Sequence, residues 1–132
     1  MSTILLVEDE ELNRTLVKAV LSRARIDAVR DAKILDASSI AAARERLSGG
    51  EVDLVLLDMN LPDGNGLTLA RELADGTVGT VRARPVVVAV TASVLPQVRA
   101  AALDAGCDDF LDKPYAAADL VSVVANHLPH PL

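Results

Sequence analysis

The chain has 132 residues and a formal net charge of −6, with 51% hydrophobic but only 2% aromatic residues. That length and apolar content describe about one domain with a real core and exclude a disordered chain. The acidic balance and the scarcity of aromatic rings argue against direct nucleic-acid binding, whether through phosphates or through base stacking. The single Cys107 excludes an internal disulfide and a cysteine-built metal site. No apolar run approaches the roughly 20 residues needed to cross a bilayer, and no signal peptide is expected ahead of the first apolar run. The expectation is one cytoplasmic domain over residues 1–132, with a tail from about 129 and no membrane partner.

In chain order, Thr3 to Val7 reads as a buried strand. Glu10 to about Arg25 reads as a helix with an apolar stripe of Leu12, Leu16, Val17, Val20, Leu21 and Ala24. Ile26 to Ala32 either extends that helix or forms an irregular connection. Lys33 to Ala37 is a second strand. Ser38 or Ser39 caps a helix that runs to Leu47 and stops at Gly49-Gly50. Asp53 to Leu57 is a third strand, and Leu61 to Gly66 is dense in turn residues. Leu67 to Ala74 forms a third helix, followed by a polar connection from Asp75 to Arg84. Val86 to Val90 is the clearest central strand. Pro96 opens a fourth helix that Gly106 closes. Asp109 to Asp112 is a fifth strand, Lys113-Pro114 a turn, and Ala117 to Leu128 a final helix. Five uniformly apolar strands alternating with five helices predict an α/β fold: a parallel sheet covered on both faces, with right-handed crossovers.

In such a sheet, ligands bind beyond the carboxyl ends of the strands. Glu8 and Asp9 follow the first strand, Asp58 the third, Thr91 the fourth, and Lys113 with Pro114 the fifth. Each has an ordinary explanation by itself, as a helix-start acid, a turn residue or a cap. Those explanations do not account for four of five strand ends sending polar groups to one rim. Three carboxylates against one ammonium would repel one another, and a hard divalent cation resolves the conflict. Mg²⁺, a carboxylate, a hydroxyl and an ammonium together suit a phosphoryl group in transfer. An Asp carboxylate can take that group as an acyl phosphate.

Four motifs carry a resemblance: VEDE at 7–10, LLDMNLPDGNG at 56–66, VTAS at 90–93 and FLDKPY at 110–115. In this order, and over Thr3 to Leu128, the chain resembles the receiver domains of two-component response regulators, of the chemotaxis-regulator kind. The resemblance implies a flavodoxin-like doubly wound sheet in strand order 2-1-3-4-5. It implies Asp58 as phosphoacceptor, with Mg²⁺ held by Asp9 and Asp58, by Glu8 mainly through water, and by the backbone carbonyl of Asn60. Thr91 and Lys113 would meet the phosphoryl oxygens, and the Lys113–Pro114 bond would be cis. Phe110 falls at the family's aromatic switch position, moving with Thr91. The phosphoryl donor would be a sensor histidine kinase or a histidine phosphotransfer protein. The surface of the fourth helix, fifth strand and fifth helix would then bind a downstream protein target, as a monomer or a phosphorylation-dependent dimer. Ser93 and Asn60 flank the acceptor and would tune the lifetime of the phosphorylated state.

The segments at 26–32 and 75–84 are longer than in compact receivers, and no output domain is expected after the last helix. The chain therefore reads as a single-domain regulator or as the receiver of a hybrid kinase, a signalling domain and not an enzyme. Three other readings use similar parts. A pseudo-receiver would keep the fold as a binding module, but every site residue is present. An aspartate-nucleophile phosphohydrolase wants a second acid two positions after the first, where Asn60 stands. A flavin binder wants a neutral loop after the first strand, where four acids stand.

Overall fold

The computed structural model describes residues 2–49, 52–76, 85–92 and 95–128. In chain order the elements are β1 (Thr3–Val7), α1 (Glu11–Ser22), α2 (Asp27–Arg30), β2 (Lys33–Ala37), α3 (Ile40–Ser48), β3 (Leu54–Asp58), β4 (Asn60–Leu61), β5 (Gly64–Asn65), α4 (Leu67–Asp75), β6 (Val86–Thr91), α5 (Pro96–Asp104), β7 (Asp109–Asp112) and α6 (Ala117–His127). Five of the strands form a parallel sheet in the order β2-β1-β3-β6-β7. With the short β4–β5 hairpin set aside, this is the expected order 2-1-3-4-5.

The central strands β1, β3 and β6 are apolar on both sides because both sides are covered. In β3, Val55 and Leu57 enter a core with α3, α4 and α5. Leu54 and Leu56 enter a second core with α1, α2 and α6. Period-two alternation thus divides one buried strand between two layers.

Three local expectations are corrected. Six helices are present among the described residues, not five: the segment at 26–32 holds α2, a single turn closed by Arg30 bonding Asp27 at 2.5 Å. The first helix also stops at Ser22, short of Arg25. Only part of its apolar stripe is buried. Val17, Leu21 and Ala24 pack inward, while Leu12 and Leu16 stay 68% and 54% exposed. The turn-rich segment after β3 holds the antiparallel β4–β5 pairing of Asn60–Leu61 with Gly64–Asn65. Most of the 75–84 connection, Gly50, Ser93, His130 and the tail from 129 lie outside the described residues.

Candidate functional site

Strand register brings the polar residues together. Val7 pairs with Leu57, so Glu8 and Asp58 are neighbours one step further along. Asp58 pairs with Val90 and Thr91 with Asp112, which puts Thr91 and Lys113 at the same rim. Glu8, Asp58 and Thr91 are buried, at 4%, 7% and 5% exposure, although each is polar. Asp9 and Asn60 are exposed at the mouth.

The contacts converge on Asp58. Its Oδ1 accepts the Asn60 amide at 3.0 Å, and its Oδ2 accepts the Lys113 ammonium at 3.2 Å. The same ammonium lies 3.7 Å from Glu8 Oε2. Lys113 is itself anchored, its amide donating to the Thr91 carbonyl at 2.7 Å. The peptide bond that follows it, to Pro114, is cis. Carboxylate oxygens of Glu8, Asp9 and Asp58 lie within 4.8 Å of one another. Phe110 is not part of this cluster. It sits half-buried on β7 against the α3, α4 and α5 layer, with the Arg99 guanidinium 5.2 Å from its ring centre.

The electrostatics separate the two buried acids. Burial, with a hydrogen bond shared with Asp58, pushes the Glu8 carboxyl up to about 7. Burial acts on Asp58 in the same sense. The Glu8 hydrogen bond, the Asn60 amide and Lys113 outweigh it and hold Asp58 below the usual carboxylate range. Burial opposes the charge on Lys113 too, but Asp58 and Glu8 overcome it and raise its pKa. One proton or one cation is thus needed to keep Glu8 beside an ionised Asp58. The donor set suits Mg²⁺, which takes oxygen ligands, retains waters and is held by one or two carboxylates plus phosphate oxygens.

Several supporting residues have no site role in the sequence reading. Asn13 Nδ2 donates to Glu8 Oε1, and the Arg14 guanidinium donates to the Glu8 carbonyl, both at 2.8 Å. Both lie on α1, and their role appears only once α1 is docked beside β1. Gly66 donates its amide to the Met59 carbonyl, and a Cβ there would sit 2.2 Å from the Asp58 carbonyl oxygen. The chain turns back so closely behind Asp58 that no side chain fits. Beside the acids, a cleft of about 460 Å³ opens between Leu16, Val17, Leu120 and Tyr115, with Glu8, Asp58 and Lys113 at its polar end.

Comparison with known proteins gives a consistent picture. The family described as "Response regulator receiver domain" matches residues 4–125. Over 123 residues the chain is 38% identical to the aerobic respiration control sensor protein ArcB of Escherichia coli (strain K12), covering 92% of this chain but 14% of ArcB. The chain thus spans about one seventh of that relative's length. It is 34% identical to the two-component response regulator ORR41 of Oryza sativa subsp. japonica, covering 95% of this chain and 93% of the relative. Its backbone is similar, at a TM-score of 0.78 and 27% identity, to the receiver domain of sensor histidine kinase PA1611 from Pseudomonas aeruginosa PAO1, with 96% of each chain covered. That structure holds a magnesium ion coordinated in its active-site cleft.

Proposed function

The chain belongs to the response regulator receiver domain family, and on that premise we propose that it accepts a phosphoryl group on Asp58 from a phosphohistidine. The observation that carries this reading is the state of Asp58: buried, ionised, bonded to Lys113 and grouped with two further carboxylates. A carboxylate oxygen attacks phosphorus, the P–N bond to the imidazole breaks, and an acyl phosphate remains on the chain.

Glu8, Asp9, Asp58 and the Asn60 carbonyl are the residues that would hold Mg²⁺, which when bound neutralises charge on the transferring group. The chain's own groups do the rest. Lys113 leaves its pairing with the free carboxylate to meet a phosphoryl oxygen. The Thr91 hydroxyl, carried at the end of β6, meets another. Asn13 and Arg14 keep Glu8 fixed while the charge beside it grows. The donor is a sensor histidine kinase or a histidine phosphotransfer protein. The relatives support that class of partner, since a receiver of a sensor histidine kinase is among them. The added charge then biases a two-state equilibrium of the α5, β7 and α6 surface, with Phe110 and Thr91 moving together, toward a downstream protein target.

The test is incubation with acetyl phosphate and Mg²⁺, followed by intact mass. The expected result is the gain of one phosphoryl group that is lost on adding a chelator before the donor and absent in Asp58→Asn. An Asp58→Asn protein that gains the same group, or a wild-type protein that gains none, overturns the assignment.

A further inference from the structure

Helix α5 is anchored by few and small apolar contacts, Ala102 in the core with Val98 and Ala101 packed partly against it. Only Ala102 of its nine residues is buried, whereas α4, of equal length, buries four. Its polar ties to the sheet therefore carry more of its placement. Arg99 of α5 donates to Asp112 Oδ2 of β7 at 2.5 Å, and its guanidinium also lies over the Phe110 ring. One side chain grips two residues of the edge strand. The other oxygen of that carboxylate, Asp112 Oδ1, is buried with no hydrogen-bond partner. The Arg99 and Asp112 side chains are 39% and 42% exposed, so the pair acts through its geometry more than through its strength.

Asp112 directly precedes Lys113, which bonds Asp58 through its ammonium and the Thr91 carbonyl through its amide. A continuous physical chain therefore runs from Asp58 through Lys113 and Asp112 to Arg99 and α5. We propose that Arg99 is a positioning residue that couples the charge at Asp58 to the placement of α5. When Lys113 is drawn toward or released from Asp58, the adjacent Asp112 shifts against a guanidinium that has a planar, fixed fork and a ring beneath it. The helix follows because, beside the small apolar contacts of Val98, Ala101 and Ala102, this grip ties it to the edge strand. The link to signalling rests on Asp58 as phosphoacceptor; the coupling itself does not.

The test is a double-mutant cycle read by amide hydrogen exchange across residues 97–104, without any phosphoryl donor. Four proteins are compared: wild type, Asp58→Asn, Arg99→Gln and the double variant. Arg99→Gln is expected to speed α5 exchange about tenfold relative to wild type. Asp58→Asn is expected to change α5 exchange at least about threefold when Arg99 is present, and by less than about 1.5-fold in the Arg99→Gln background. An equal effect of Asp58→Asn in both backgrounds overturns the coupling, as does Arg99→Gln exchange within about twofold of wild type. Arg99→Lys, which keeps the charge and loses the planar stack, replaces Arg99→Gln in the cycle if that variant does not fold. The acetyl phosphate experiment is run separately: a wild type that takes no phosphoryl group sinks the phosphoacceptor reading and leaves the coupling to be decided by the cycle.

Discussion

Two buried carboxyls facing each other cannot both be ionised without help, and the direction of their shifts makes a testable statement about pH. Glu8 is raised from 4.5 to about 7 in the folded chain. Its contribution to stability is fully present below the unfolded value and is lost as pH rises through 7. Asp58 is held low and stays ionised over that window. The metal-free protein should therefore melt lower at about pH 8 than at about pH 5.5, and Glu8→Gln should flatten that slope. Mg²⁺ needs the ionised carboxylate, so it should raise the melting temperature more at the higher pH. Thermal unfolding by circular dichroism, with chelator and with Mg²⁺, reads both effects; a steeper slope in Glu8→Gln would contradict the assignment. At Gly66 the constraint is steric. Ala there would press on the Asp58 carbonyl and should cost roughly 1–3 kcal/mol in urea unfolding, with slower labelling of Asp58. The placing of the acids and Lys113 at strand ends was legible because Glu8 and Asp58 directly follow apolar runs, with Asp9 and Lys113 one position further on. Asn13 was not, and Gly66 was legible only as a turn residue, because their importance lies in what the folded chain brings against them.

At the level of elements, strands β2 and β7 have the limits expected of them, and β6 runs only one residue further, to Thr91. Short alternating apolar runs bounded by turn residues carry a strong signal. The α2 turn escaped because four residues cannot display a 3.6-residue period. The N-terminus of α3 was half legible. Ser39 caps it as expected, its Oγ accepting the Ala42 amide at 3.1 Å. The amides of Ile40 and Ala41 are instead taken by Asp63, more than twenty positions away in the loop after β4. Those two backbone bonds, ahead of any other cause, hold the Asp63 carboxyl below its usual range. Three otherwise orphaned donors are thus satisfied from two sources. Ser39→Ala should cost about 1 kcal/mol of stability. Asp63→Ala should lower the melting temperature at neutral pH and have less effect once acid has protonated the carboxyl. Chemical denaturation of Ser39→Ala with no loss of midpoint would show that Asp63 alone suffices for the cap.

Across the whole molecule, the sheet acts as a partition. The apolar runs of its central strands β1, β3 and β6 made a doubly covered parallel sheet legible, because a strand with one face in water would alternate with polar residues. The residues lining each side could not be assigned until the helices were placed, since a fully apolar strand gives no clue to which face meets which helix. The partition has an energetic consequence. Ile4 is buried in the layer with α1, α2 and α6, and Ile40 in the layer with α3, α4 and α5. Removing one methylene from each, as Ile4→Val and Ile40→Val, should cost roughly 0.5–1.5 kcal/mol apiece. Because they share neither a cavity nor a packing neighbour across the sheet, the double variant should lose the sum to within about 0.5 kcal/mol. Urea unfolding of the two single variants and the double measures this directly. A coupling well above that limit would mean that the sheet transmits packing strain between its faces, and the carboxylate rim, which is built from the ends of those same strands, would then respond to substitutions in either layer.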